Sequence, residues 1–226
     1  MNTIDLSRSR TSQDLNTVRE LSKKSLWFVC WSLLGYRDVN YETHGEIIKV
    51  LESESKRKLI CVPRGCLKSS IACVAYPIWL LINNPNLRIL IDSELYTNSK
   101  NFLREIKAHL ESPKFELLFG EWKTDPWNEA EIIIKQRNKF FKEGSITVGG
   151  IGTTKVGQHY NVIIGDDYNS AANTSTKEGA DKVINHYKMN TSILEPEGTY
   201  VIIGTRYGAN DTIGYILSNE INQEQN

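Results

Sequence analysis

The chain carries no surplus of charge: 27 Lys and Arg stand against 27 Asp and Glu. A domain that binds nucleic acid over a whole basic face would have a high pI, so any contact with a polyanion must come from local patches. Cysteine is scarce at four (Cys30, Cys61, Cys66 and Cys73), and their spacing contains neither a CxxC pair nor a zinc ligand set. That argues against a disulfide framework and leaves free, buried thiols in an intracellular protein as the expectation. No apolar run is long enough to span a bilayer; the longest, 71–82, is broken by Pro77. The polar opening MNTIDLSRSRTSQDL lacks an apolar signal core. A soluble, cytoplasmic protein is therefore expected, and internal repeats and low-complexity tracts are missing as well.

What is present is enough apolar residue for one large core: 40% of 226 residues. Residues 1–12 read as frayed. Leu15, Val18, Leu21, Leu26, Phe28 and Trp31 recur at helical spacing, predicting one or two helices over 13–35, and a further helix is predicted over 42–54. The pattern then changes to short apolar runs, as in strands buried on both faces: 58–62, 87–93, 131–136, 145–150, 161–167 and 199–206. Helical stretches alternate with them at 68–82, 97–111, 177–193 and about 211–219. This order predicts an α/β fold with a twisted, mainly parallel sheet, helices on both faces and a helical N-terminal segment. Residues 1–45 are expected to form that segment, 46–220 the core, and 221–226 a linker or terminal tail.

Three strand ends carry chemistry. KLICV is followed by PRGCLKSS. A phosphate-binding loop needs backbone N–H groups converging after a strand, a helix N-terminus behind them, a Lys for the terminal phosphates and a hydroxyl for Mg²⁺. Pro63, Arg64, Gly65, Cys66, Leu67, Lys68, Ser69 and Ser70 are the candidate cradle, with Lys68 and Ser69 in the two chemical roles. The template GxxxxGK[ST] would place Gly at 62 and 67, where Val62 and Leu67 stand. A glycine-containing strand-to-helix connection with an exposed lysine therefore remains the alternative. VIIGDD at 162–167 ends in the two acids such an ATPase needs on a neighbouring strand, one for the metal and one for the attacking water. Asp166 is assigned to the metal side and Asp167 to the water; strands ending in acids at a solvent edge are the alternative. YVIIGTR at 200–206 ends in Thr205, a hydroxyl able to sense the γ-phosphate, with Arg206 beside it.

In this order VPRGCLKSS, VGQHYNVIIGDD and VIIGTRYGAND resemble the large terminase subunit of tailed bacteriophages, and the likeness extends over roughly residues 44–220. The resemblance implies the ATPase domain of that family, a P-loop NTPase of the ASCE type, using ATP and Mg²⁺ to translocate double-stranded DNA into a procapsid. It implies Arg64 as the loop arginine contacting the γ-phosphate, Lys68 and Ser69 on phosphate and metal, Asp166 and Asp167 as the Walker B acids, and Thr205 as the coupling residue. It further implies a portal protein, a small terminase subunit and a homo-oligomeric ring as partners, in the host cytoplasm and without a membrane. The isolated domain is also compatible with a monomer. The family's second, trans-acting arginine would precede Gly157, where Val156 stands, and Lys155 beside it lacks the planar fork that suits phosphate. Arg37, Tyr41 and His44 lie in the region expected to contact adenine. The nuclease domain of the family would begin where this chain stops.

Two other classes fit the same motifs: the ATPase domain of a helicase or translocase, and a nucleotide-binding module without turnover. The remaining residues have plainer readings. Trp27, Trp31, Trp79, Trp122 and Trp127 are expected to pack rather than stack on bases. His159 is expected to be structural, Lys56–Arg57–Lys58 a solvated basic edge, and Cys66 a thiol that exposes the loop to thiol reagents.

Overall fold

The structure, a computed structural model, describes residues 12–153, 155 and 157–221. In chain order the elements are α1 (Ser12–Lys24), α2 (Leu26–Phe28), α3 (Tyr41–Glu52), β1 (Arg57–Cys61), α4 (Tyr76–Asn83), β2 (Ile89–Ser93), α5 (Tyr96–Leu110), α6 (Pro113–Phe119), β3 (Lys123–Trp127), β4 (Glu131–Ile134), β5 (Ile146–Gly150), β6 (Tyr160–Asp166), α7 (Ala171–Thr174), α8 (Lys177–Ser192), β7 (Leu194–Gly204) and α9 (Thr212–Ile216). π-Helical turns at Val29–Leu33 and Leu217–Ile221 continue α2 and α9, and another at Ser70–Ala75 runs into α4. That last change of winding coincides with Pro77 in the first turn of α4, where the missing N–H interrupts the hydrogen-bond ladder. Side chains set the helix starts as well. Asn40, Ser112, Thr176 and Asp211 accept from backbone N–H groups at the N-termini of α3, α6, α8 and α9.

The seven strands form one sheet in the order β1-β7-β6-β2-β5-β4-β3. Pairings from β1 through β5 are parallel, and β4 and β3 are added antiparallel. The parallel strands are β-branched and buried, so alternate side chains feed two separate cores. Ile89 and Ile91, Val162 and Ile164, and Val201 and Ile203 join the core with α1 to α6. Leu90, Ile163, Tyr200 and Ile202 point the other way, into a second core with Val183 and Tyr187 of α8 and Ile216 of α9. Each such side chain contributes about 1.5–3 kcal/mol. Val18, Leu26 and Val29 belong to the first core, so the N-terminal helices share it with the sheet.

The parallel strands end in register. Cys61 pairs with Gly204, Ile203 with Asp166, Asp166 with Ser93, and Ser93 with Gly150. All their C-terminal ends therefore open on one edge of the sheet, the edge where open α/β sheets place ligands. Several local expectations need correction. The strand over 131–136 ends at Ile134, and 68–82 is not one regular helix. Strand β3, helix α6, helix α7 and the first half of β7 were not foreseen. Of the four thiols only Cys30 and Cys73 are buried, because Cys61 lies on the edge strand and Cys66 in a turn. Lys58 is buried rather than solvated; its Nζ donates to the carbonyls of Leu51 (2.5 Å) and Ser53 (2.7 Å) at the end of α3. Burial lowers its pKa to about 8.

Candidate active site

The turn after β1 carries Pro63 to Leu67 away from the sheet and into a helix that begins at Lys68 and is π-helical from Ser70. Gly65 has φ 83° and Leu67 φ 46°, both in the left-handed region. Leu67 thus adopts, without being glycine, a conformation that glycine would adopt freely; it stands where the phosphate-loop template has its second Gly. The bend buries Lys68, which is 5% exposed, and turns its side chain back over the strand ends. The N–H of Ile71 donates to the carbonyl of Leu67 at 3.0 Å, starting the helix there. Pro63, Arg64 and Gly65 are exposed, and Cys66 and Ser70 are half-buried.

The acids come from β6, which is not the immediate neighbour of β1. Strand β7 lies between them, so the pair reaches the turn across one intervening strand. Ser69, 97 residues from Asp166 in sequence, donates through Oγ to Asp166 Oδ1 at 2.7 Å. The Lys68 ammonium sits 3.6 Å from Asp167 Oδ2. Asp167 has φ 42°, an outlier for a non-glycine residue that turns the chain sharply at the end of β6. Its Oδ1 is buried without a hydrogen-bond partner among the described residues.

Electrostatics follow from this packing. Asp166 is 4% exposed, and burial, reinforced by the charge of Asp167 and opposed by Ser69 and Lys68, pushes its carboxyl up to about 6. Cys73, buried one turn into the helix, is raised well above the usual thiol range by burial and by the same two acids. A buried carboxylate beside a hydroxyl offers hard oxygen ligands, the type Mg²⁺ takes together with waters and phosphate oxygens. Among the described residues no group of three or more His, Cys, Asp or Glu could hold a metal by itself, so a divalent ion here would draw its other ligands from solvent and substrate.

The end of β7 supplies the third part. Thr205 Oγ1 donates to the Val62 carbonyl at 3.2 Å, and Val62 N–H donates to the Gly204 carbonyl at 3.2 Å. Gly204 also lies against Asp167: a Cβ there would come within 3.3 Å of Asp167 Oδ1. The exposed Arg64 donates from its guanidinium to the Tyr207 hydroxyl. Asp211 organises the segment after β7, its Oδ2 accepting from Tyr207 N–H (2.7 Å) and Gly208 N–H (3.2 Å) while Oδ1 caps α9. Arg206 turns outward and bonds to the Gly208 carbonyl at 3.3 Å. Tyr207 and Asp211 were missed by sequence reasoning. The Asp followed by Thr before an apolar turn was a cap signal; the role of Tyr207 depends on a contact across 143 residues.

The structure therefore brings Lys68, Ser69, Asp166, Asp167, Thr205 and the turn carrying Arg64 to one edge. The three residues considered for adenine have partners of their own among the N-terminal elements. Arg37 lies over Trp31, Tyr41 is edge-on to Trp27, and buried His44 is held through Nδ1 to the backbone of Asn40. Val156 lies outside the described residues. Lys155 is described; burial, opposed by Asp92 and Glu131, lowers its pKa. His159 is exposed, with its N–H held by Glu143 at 2.9 Å. Trp122 is buried and the other tryptophans half-buried, four of the five in contact with the first core. No protein-family model matches this chain, and no curated protein matches it at a significant level.

Proposed function

We propose that this chain is a P-loop ATPase domain that hydrolyses ATP, and that it serves as the motor domain of a phage large terminase, driving double-stranded DNA into a procapsid. One observation carries the ATPase reading: Lys68–Ser69 and Asp166–Asp167, remote in sequence, meet at the carboxyl edge of a parallel sheet with a strand interposed between their own strands. An interposed strand of this kind is what the ASCE class of P-loop NTPases would require. The left-handed backbone at Gly65 and Leu67 supports it too, because a loop of that shape turns N–H groups inward toward an anion.

Hydrolysis here is an in-line attack by water on the γ-phosphate. Lys68 stabilises charge on the transferring group, and Arg64 does so once released from Tyr207. Asp167 orients the water, its unpartnered buried oxygen being the available acceptor. Mg²⁺ would supply further charge neutralisation, with Ser69 and Asp166 as the side chains that hold it. Binding of phosphate gives Lys68 a stronger partner than Asp167, which frees that carboxylate for the water. Thr205, bonded to the strand that enters the loop, passes loss of phosphate to β7.

The terminase assignment rests on the likeness of the three motifs, and the portal protein, the small terminase subunit, the ring and the host cytoplasm come with it. The test is Mg²⁺-dependent ATP hydrolysis by the purified chain. Lys68→Ala is expected to lower turnover about 10²–10³-fold. Asp167→Asn is expected to lower it at least about 10²-fold while ATP binding persists. Absence of hydrolysis, or full activity in Asp167→Asn, refutes the ATPase reading. ATP-driven separation of DNA strands, instead of movement of intact duplex into procapsids, would refute the terminase role in favour of a helicase.

A further inference from the structure

A buried polar cluster lies on the far face of the sheet, one residue beyond the catalytic pair, and nothing in the proposed chemistry uses it. Asp92 of β2 is 1% exposed. Three donors converge on its Oδ2: the Tyr168 hydroxyl at 2.8 Å, His186 Nε2 at 2.5 Å and Asn190 Nδ2 at 2.6 Å. The Tyr168 hydroxyl also meets Asn190 Nδ2 at 3.0 Å and the Tyr200 hydroxyl at 3.2 Å. Strands β2 and β7, helix α8 and the residue after Asp167 are thereby tied at a single oxygen. Asp92 Oδ1 has no hydrogen-bond partner among the described residues. It packs on Gly149, where a Cβ would come within 2.5 Å of it.

A buried carboxyl group held this way is costly unless its hydrogen-bond partners are all kept, so the cluster has one arrangement with little freedom. Its consequence for Asp167 is geometric. The chain leaves β6 at Asp166, turns through the left-handed Asp167, and folds back so that the Tyr168 ring packs against Gly165. A Cβ on Gly165 would come within 2.6 Å of Tyr168 Cζ. Gly165 and Gly149 thus clear the space that Tyr168 and Asp92 occupy. Burial, with Asp92 beside it, holds the Tyr168 hydroxyl far above the usual phenol range, so it remains a donor to that carboxylate.

We infer that Tyr168, anchored by Asp92, Asn190 and His186, is a positioning residue that holds Asp167 in its strained left-handed conformation with its carboxylate beside Lys68. The turn at Asp167 is unfavourable in isolation. It persists because the next side chain is pinned on the opposite face. Tyr168 touches neither nucleotide nor water; it acts through Asp167. The inference rests on the ATPase reading above and adds to it the device that aims the water-orienting carboxylate.

Tyr168→Phe removes one hydroxyl and leaves the ring on Gly165. In the full chain it is expected to lower kcat about tenfold, since a small misplacement of a catalytic group is enough for that, with KM for ATP and affinity for a fluorescent ADP within about twofold. Introduced into Asp167→Asn, measured in single turnover, the same change is expected to have no further effect. Asn190→Ala, which removes a donor from the α8 side, should repeat both results if Tyr168→Phe folds poorly. Unchanged kcat, or an equal loss with and without Asp167, overturns the inference. A parent chain that binds ATP and never hydrolyses it instead overturns the reading of the site, so the two failures are distinguishable.

Discussion

Asp166→Asn should make the metal-free protein more stable while destroying its activity. The Asp166 carboxyl is 4% exposed, and burial is the main reason its pKa rises from 3.8 to about 6. A rise of that size corresponds to roughly 3 kcal/mol between the two protonation states. The folded chain keeps this proton until about pH 6, whereas the unfolded chain releases it near 3.8. Between those values the folded state binds more protons, so stability falls as pH rises, and the full cost is present above pH 6. Asparagine never ionises, nearly matches the shape, and keeps an oxygen to accept from Ser69. At pH 8, in EDTA and without nucleotide, the variant should be the more stable by up to about 3 kcal/mol. For a chain of this size that is a gain in Tm of up to roughly 6–12 °C. The gap should shrink to about 0.5 kcal/mol near pH 4, where the folded parent is protonated at this position and the unfolded chain is close to half protonated. Thermal and urea unfolding at the two pH values measure it, and Mg²⁺ with a non-hydrolysable ATP analogue should raise the Tm of the parent far more than that of the variant. A variant no more stable than the parent at pH 8, or a gap of the same size at pH 4, would refute the argument that the site stores an uncompensated carboxylate.

Four further substitutions, at three positions, test the backbone of the site. Leu67→Ile keeps the volume and puts a β-branched side chain at φ 46°; it should destabilise by about 1–2 kcal/mol. Leu67→Gly should be nearly neutral, relief of strain offsetting lost burial, and equal unfolding midpoints for Ile and Leu at 67 would contradict this. Gly165→Ala forces a Cβ to within 2.6 Å of the Tyr168 ring and 2.8 Å of Ile202, so a loss of about 1–3 kcal/mol is expected, together with reduced turnover; wild-type stability would show that the ring has room to move. Gly204→Ala brings a methyl to 3.3 Å from Asp167 Oδ1. It should lower kcat severalfold with ATP affinity retained, and an unchanged kcat would mean that this oxygen is not the one used.

Much of the sheet was legible because its central strands are buried on both faces, leaving near-continuous Ile and Val runs that hydrophobic patterning identifies without knowledge of the partner strand. The same reasoning fails where burial is one-sided or broken. Strand β3 contains Asp125 and Pro126, and the first half of β7 contains Pro196 and Gly198, residues that read as turn. Helix α6 follows α5 after only two residues, so its Ser112 cap was absorbed into the preceding element. Lys58 looked solvated as the last of three basic residues, yet strand alternation sends it inward and the open carbonyls ending α3 receive it. The candidate site divides the same way. Lys68, Ser69, Asp166, Asp167 and Thr205 announce themselves by lying at strand ends, where chemistry and position coincide. Asp92 also ends a strand, but its partners Asn190 and His186 come from α8, 98 and 94 residues away, and no local pattern links them.

The interposed strand explains why the third motif has the composition it does. The end of β7 meets the turn after β1 on one side, through Thr205 and Val62, and Asp167 at the end of β6 on the other, through Gly204. The glycine at 204 leaves room for Asp167, and the hydroxyl at 205 holds Val62 without adding charge to a site that already contains two acids and a buried lysine. A larger residue at 204 would crowd the carboxylate. Under the proposed ATPase reading, small and then hydroxylic is what these two positions require if a change in the loop is to pass to the rest of the sheet while Asp167 stays free.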